Sequence, residues 1–315
     1  MSFITENKEQ ISHTLWTERY RPTTIDNFIG NEHLKEKLKM YISTNDVPHL
    51  LLHGKPGTGK STAAKMIANS IDCDYLFINA SDENNVDTMR NKIKTFASTI
   101  GFKPMKLVIL DEADYLSVTG AQPILRNMME TFSQRCRFIL TCNYVDKIIE
   151  PLQSRCQTFQ VIPPSKKDIA VHVSKILTNE NITFEPKDIV PIIDASYPDI
   201  RKVINTLQLN SHNGKLVVDT KTILENDYKS KILDILKSKD DKRNKYHNCR
   251  QTLIDSRATD FSELYTLLYE RVDEYAGDNT SNVILIIADG VAKSPLVTDK
   301  EIIAASVMIQ IINTI

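Results

Sequence analysis

The stretch "GKPGTGKS", Gly54 to Ser61, constrains the fold of this chain more than any other. It satisfies G-x-x-x-x-G-K-[ST] and sits between an apolar run ending in glycine, "HLLLHG" (49–54), and a helical pattern, "STAAKMIANSI" (61–71). In that setting the glycines let the chain turn sharply from strand to helix. Backbone N–H groups then close round an anion, backed by the positive end of the helix dipole. Lys60 is placed to reach β- and γ-phosphates, and the Ser61 hydroxyl to ligate Mg²⁺. Gly54, Pro56, Gly57, Thr58, Gly59 and Thr62 complete the loop and the helix start. The expectation is a nucleoside triphosphate site.

Strands and helices continue to alternate around this loop. "DYLFINA" (74–80), "KLVIL" (106–110), "RFILTCN" (137–143) and "QTFQV" (157–161) read as strands, and "VDTMRNKIKTFAST" as a helix between two of them. Residues 1–165 therefore predict an α/β domain with a mostly parallel sheet. Its continuous apolar runs suit strands buried on both faces. After the breaker "PPSKKD" (163–168) the pattern is helical throughout to residue 228, through "DIAVHVSKILTNE", "DIVPIIDAS" and "DIRKVINTLQLN". "SKDDKRNKYHN" (238–248) reads as a charged connection. Beyond it, "FSELYTLLYERVDEYA" and "EIIAASVMIQIINTI" are again helical, and the apolar ending must pack against its own domain or another subunit.

The formal net charge of −1 offers no global basic character, so any nucleic-acid surface has to be a local patch. No N-terminal run resembles a signal peptide, and no window approaches the length of a membrane span. Five cysteines without a C-x-x-C pair predict reduced thiols and a cytoplasmic location.

"KLVILDEADYL" (106–116) ends a buried strand with Asp111 and Glu112, where open α/β sheets bind ligands. Asp111 is placed to hold Mg²⁺ and Glu112 to orient or deprotonate an attacking water. Asp114 reads as a solvated strand end. Asn143, closing the next strand, is either a strand-ending turn residue or, by its position, one that reaches the γ-phosphate and the lytic water. Arg155 in "EPLQSRC" lies well downstream of the phosphate loop, and its position alone fits either an ordinary surface arginine or a finger offered to a neighbour's site.

With these motifs in hand, the chain resembles the clamp-loader ATPases, including the small subunits of replication factor C. "ERYRPTTIDNFIG" (18–30), "PGTGKST", "NASDENNVDTMRNKIKTFA", "LDEAD", "AQPILRNMME", "TCN", "EPLQSRC" and "PDIRKVINTLQ" occur in that family's order over roughly residues 15–210. The compact C-terminus resembles most the large subunit of T4-type bacteriophage clamp loaders. The resemblance implies a P-loop AAA+ module with a five-stranded parallel sheet and helices on both faces (1–165). A helical lid (166–228) and an all-α collar for oligomerisation (229–315) follow. It also implies ATP hydrolysis with Mg²⁺, to open a sliding clamp and place it on a primer–template junction without sequence preference. The ring would be pentameric, with identical copies and one different loader subunit, and would serve the polymerase holoenzyme indirectly. No membrane partner is implied; the setting is the cytoplasm, the host cell's if the protein is viral.

Carried onto this sequence, Tyr20, Arg21 and Pro22 line the adenine pocket. Lys60 and Ser61 belong to Walker A, Asp111 and Glu112 to Walker B. Asn143 is sensor 1, Arg155 the trans arginine finger and Arg201 the lid arginine. Gln122 and Arg126 couple DNA contact to the ATP site, and Arg90, Lys92, Lys94 and Arg126 are DNA-contact candidates. Two departures stand out: Asn84 and Asn85 where the family carries a basic residue and glycine, and Asn127 where it carries a second arginine. Pro123 is tolerable only in a first helical turn, which predicts a helix start near Thr119–Ala121.

The letters D-E-A-D also name a class of RNA helicases, but such an enzyme needs a second motor domain, and the following segment is helical and too short. A hexameric AAA+ branch-migration motor or DNA helicase is the alternative, although residues 229–315 do not resemble the winged-helix domain it normally adds. A non-hydrolysing scaffold subunit is opposed by the intact Lys60, Asp111, Glu112 and Arg155.

Overall fold

Five parallel strands in the order β2-β3-β4-β1-β5 carry the first part of the chain. They are β1 (Leu50–His53), β2 (Cys73–Asn79), β3 (Met105–Asp111), β4 (Cys136–Cys142) and β5 (Gln157–Gln160). The computed structural model describes residues 15–82, 86–217, 220–256, 258 and 260–315. Asn84 and Asn85 lie outside the described residues.

The helices of this part are α1 (Trp16–Arg19), α2 (Glu32–Thr44), α3 (Lys60–Ser70), α4 (Val86–Ser98), α5 (Ala121–Thr131) and α6 (Glu150–Gln153). Alternation along the central strands divides the core between the two faces of the sheet. Leu50, Leu52, Leu107, Ile109 and Ile139 pack with Leu34 and Leu38 of α2 and Met66 and Ile67 of α3. Leu51, Val108, Leu110, Phe138 and Leu140 pack with Met89 and Ile93 of α4 and Leu125 and Met129 of α5. Burial on both faces thus holds for β1, β3 and β4. It fails for β5, an edge strand whose Gln157, Thr158 and Gln160 are exposed.

The segment after β5 forms α7 (Lys166–Asn179), α8 (Pro186–Ser196) and α9 (Ile200–Leu209). It is not helical throughout. Asn213 and Gly214, at φ 50° and 73°, turn the chain between the short antiparallel strands β6 (Ser211–His212) and β7 (Lys215–Leu216). An Asn-Gly pair with both residues left-handed is the favoured two-residue hairpin turn, and this signal in "SHNGKL" overrides the helical reading.

A second compact unit runs from Val217 to Ile315, and residues 166–216 group with the sheet. The expected boundary at 228 falls inside α10 (Thr220–Lys237), which has no break there. Tyr228, Ile232 and Leu236 of α10 enter the second unit's core, with Leu253 of α11 (Lys242–Ser256) and Leu264 of α12 (Ser262–Glu270). α13 (Thr280–Lys293) and α14 (Lys300–Thr314) complete it. The charged run 238–248 is a connection only as far as Asp241; the rest is the start of α11, mostly exposed, with Tyr246 packed against the core. Val307, Met308, Ile311 and Ile312 of the apolar ending are buried in this unit's own core, whereas Ile302 and Ile309 are 65% and 39% exposed.

Candidate active site

The C-terminal ends of β1, β3 and β4 lie side by side because the strands are parallel, and each contributes to one pocket. The Gly54–Ser61 loop leaves β1 and enters α3 at Lys60. Gly57 and Gly59 have φ of 72° and 98°. A Cβ on Gly57 would come 2.0 Å from the Asp199 carboxylate, and one on Gly59 2.8 Å from the Phe28 ring. Both positions therefore require glycine, for conformation and for space.

Lys60 is only 8% exposed and its Nζ donates to the carbonyls of Gly54 and Lys55, each at 2.9 Å. Burial pulls its ammonium below the usual lysine range, with Arg201 adding to the effect and Cys142, Asp111 and Asp114 opposing it. A polyphosphate would favour the charged form. The Ser61 hydroxyl donates to Asp111 Oδ1 at 2.6 Å, so a hydroxyl and a carboxylate suited to Mg²⁺ already meet.

Thr141, which the sequence reading missed, organises the two adjacent carboxylates. Its buried hydroxyl donates to the same Asp111 oxygen and accepts the Glu112 backbone N–H at 3.1 Å. Glu112 itself is left-handed, φ 57°, which turns the chain out of β3 immediately after Asp111. The signal was one letter, the threonine of "TCN". Its value emerges only when β4 lies beside β3, pairing Leu140 with Leu110 one residue earlier.

Asp114 corrects the sequence reading: it is 8% exposed, not solvated. Its Oδ2 accepts the N–H groups of Asn143 and Tyr144 at 3.2 and 3.3 Å, holding the end of β4 against the turn after β3. Removing it leaves two donors without their acceptor. Asp114→Ala is expected to destabilise the domain by about 2–3 kcal/mol and to slow turnover through displacement of Asn143. Chemical denaturation with a turnover assay checks both, and a change within about 0.5 kcal/mol would assign these bonds no role.

Tyr20, Arg21, Pro22 and Phe28 line one side of the pocket; His172 of α7 and Ile200, Arg201 and Ile204 of α9 line another. The N-terminal segment is tied to these helices. The Tyr20 hydroxyl and Arg19 donate to Glu180 at 2.7 and 2.6 Å, and the Trp16 N–H donates to Gln208 at 3.0 Å. Burial, then the bond to Glu180, pushes the Tyr20 phenol up to about 12. Ile200 N–H donates to the Gly57 carbonyl at 3.3 Å, so the start of α9 rests on the phosphate loop and Arg201 enters the pocket.

Twelve of the thirteen expected nucleotide-binding residues line this pocket, and the thirteenth, Gly54, offers its carbonyl to Lys60. Arg155 does not line it. The turn after α6 holds this residue, with NH1 donating to the Pro151 carbonyl at 2.7 Å and NH2 paired with Glu130 of α5. Gln122 is fully buried; its amide donates to the carbonyls of Leu116 and Lys147 at 3.0 and 2.8 Å and accepts the Ile149 N–H at 2.8 Å. It staples the turn after β3 to the turn after β4. α5 begins at Ala121, so Pro123 falls in its first turn as expected, where a missing N–H costs no helical bond. Arg90, Lys92 and Lys94 are exposed on α4, which packs beside α5, where Arg126 hydrogen-bonds Asn127.

Residues 50–164 match the ATPase family associated with various cellular activities (AAA). The replication factor C small subunit of Archaeoglobus fulgidus is 41% identical over 218 residues, covering 67% of this chain and 68% of that protein. The chain belongs to the replication factor C small-subunit family. The small subunit of Sulfolobus acidocaldarius is 42% identical over 213 residues, 65% of each chain. The matched region thus spans just under two thirds of that relative's length. Among solved structures, RuvB of Thermotoga maritima, a Holliday junction branch migration motor, shares the fold with a TM-score of 0.55 at 17% identity, over 81% of this chain and 80% of that one.

Proposed function

We propose that this chain is an ATP-hydrolysing subunit of a DNA-replication clamp loader, which opens a sliding clamp and loads it at primer–template junctions. The observation that carries it is a division of residues: Lys60, Ser61, Asp111, Glu112, Asn143 and Arg201 meet at one pocket, while Arg155 stands apart from it. A site that gathers these residues but not Arg155 suits a ring in which the neighbour supplies that arginine.

Ser61 and Asp111 would hold Mg²⁺, which when bound neutralises charge on the β- and γ-phosphates. Lys60 and the backbone N–H groups of the loop grip those phosphates, and Tyr20, Arg21 and Pro22 flank the adenine. Glu112 orients the attacking water and accepts its proton, Asn143 fixes the water against the γ-phosphate, and Arg201 reports nucleotide from the lid. The buried Gln122 couples both loops to α5, and Arg126 links α5 to DNA held along Arg90, Lys92 and Lys94. Phosphate contacts of this kind are sequence-independent and salt-sensitive. Residues 166–216 act as the lid, and the second unit as the collar of a pentameric ring of identical copies with one different subunit. Exposed Leu285, Leu296 and Ile302 support that role. Cytoplasmic placement, in the host cell if the protein is viral, is supported by five free cysteines. No helix among the described residues is long and apolar enough to cross a membrane.

The clamp contact falls at the loop between α4 and β3. In "FASTIGFKPM" (96–105), Ile100 and Phe102 are 95% and 104% exposed. The loop holding them is firmly anchored. Lys106 Nζ donates to the carbonyls of Phe96 and Thr99, and Asp74 accepts the N–H of Phe102 at 2.8 Å. Two apolar side chains displayed on a braced loop fit a hydrophobic pocket on a partner. Replacing both Ile100 and Phe102 with serine is expected to weaken clamp affinity about 10- to 100-fold, with clamp-independent turnover unchanged. Fluorescence titration with labelled clamp reads the effect, and unaltered affinity would move the contact elsewhere.

Turnover measured with primed DNA, with sliding clamp and with both tests the function itself. Synergistic stimulation by the two is the expected result. DNA strand separation without any clamp requirement would instead support the branch-migration or helicase reading.

A further inference from the structure

We propose that Glu130 is the positioning residue for Arg155, and that α5 thereby sets where one subunit's arginine meets its neighbour's nucleotide. This rests on the trans reading of Arg155 given above. Two bonds hold the guanidinium: NH2 to the Glu130 carboxylate and NH1 to the Pro151 carbonyl at 2.7 Å. A guanidinium is planar and has five N–H donors, so two fixed acceptors set its plane and leave donors for an anion.

The short helix α6 and the arginine that follows are held against α5 at two points. Gln122 accepts the N–H of Ile149, which caps the start of α6, and Glu130 pairs with Arg155 beyond its end. Eight residues separate the two anchors on α5, about 12 Å of helix. Gln122, Arg126 and Glu130 recur every fourth residue and so form one stripe along α5. One end of the stripe is fastened to the turns after β3 and β4, which border the subunit's own nucleotide pocket. The other end holds the arginine meant for the next subunit.

The pair is open to water, with side chains 35% and 51% exposed. An exposed pair of this kind contributes little to stability, so its placement on α5 is not explained by folding. Its effect is to narrow the rotamers of a long side chain before a phosphate arrives, and small errors in such placement are costly in rate.

The full-length chain in its assembled ring provides the test, with Arg155→Ala, Glu130→Ala and Glu130→Gln each assayed alone and mixed with Lys60→Ala. Glu130→Ala is expected to lower kcat about ten-fold with KM for ATP unchanged. Glu130→Gln keeps an acceptor and should recover part of the loss. The Lys60→Ala chain has a disabled pocket but an intact Arg155, so mixing it with Glu130→Ala should restore activity by complementation. Full kcat in Glu130→Ala beside a large Arg155→Ala loss overturns the inference. So does a Glu130→Ala loss that mixing does not relieve, since Glu130 would then act on its own site or on folding. If Arg155→Ala keeps full kcat, the trans reading falls first and this inference with it.

Discussion

Replacing Arg155 with alanine is expected to leave ATP affinity within about two-fold and to slow hydrolysis in the assembled ring by about 10³-fold or more. Affinity should hold because Arg155 does not line its own subunit's pocket, where the proposed anion contacts are Lys60, Arg201 and the loop backbone. Hydrolysis should fall because charge builds on the γ-phosphoryl oxygens as the bond breaks, and a planar guanidinium meets that charge in the transition state. Equilibrium ATP titration of the isolated chain, set beside single-turnover hydrolysis in the ring, separates the two effects. Weakened binding by the isolated chain with unimpaired ring hydrolysis would place Arg155 in cis.

Glu112→Gln should produce a comparable failure by a different route, a loss of about 10²- to 10⁴-fold in turnover with ATP and Mg²⁺ still bound. Glutamine matches glutamate in size and leaves the Glu112 N–H bond to Thr141 and the Ser61–Asp111 pair untouched. It cannot take a proton from water. The variant should therefore hold ATP and retain clamp and primed DNA instead of releasing them. Rapid-quench hydrolysis with a nucleotide-retention assay reads both properties. Turnover near the wild-type level would move the base to another residue.

Much of this site was legible in the chain because its motifs are local. A phosphate loop needs its glycines, lysine and hydroxyl within eight residues, and a strand-end carboxylate pair needs only the strand before it. Pro123 announced a helix start within its own turn, and the structure begins α5 at Ala121. Residues whose work depends on a neighbour from elsewhere in the chain are not legible locally. Asp114 reads as solvated from its neighbours in sequence because its acceptor role lies with N–H groups about thirty residues later. Thr141 gains its role only across a strand pair, where it serves Asp111 and Glu112. The edge position of β5 follows from strand order, which no single strand reveals. Asn213-Gly214 was the exception, a local turn signal outweighed by the helical periodicity around it.

The sequence by itself determined the candidate chemistry on offer: a phosphate-loop motif and a strand-end carboxylate pair. These follow from covalent neighbours and short-range geometry. Only the tertiary structure decided how they are shared out. It brought three strand ends into one pocket, buried Gln122 and Asp114 as fasteners between turns, and laid Arg155 against Glu130 outside that pocket. The reason is physical: which strand lies beside which depends on packing contacts between segments far apart in the chain, a property of the whole domain.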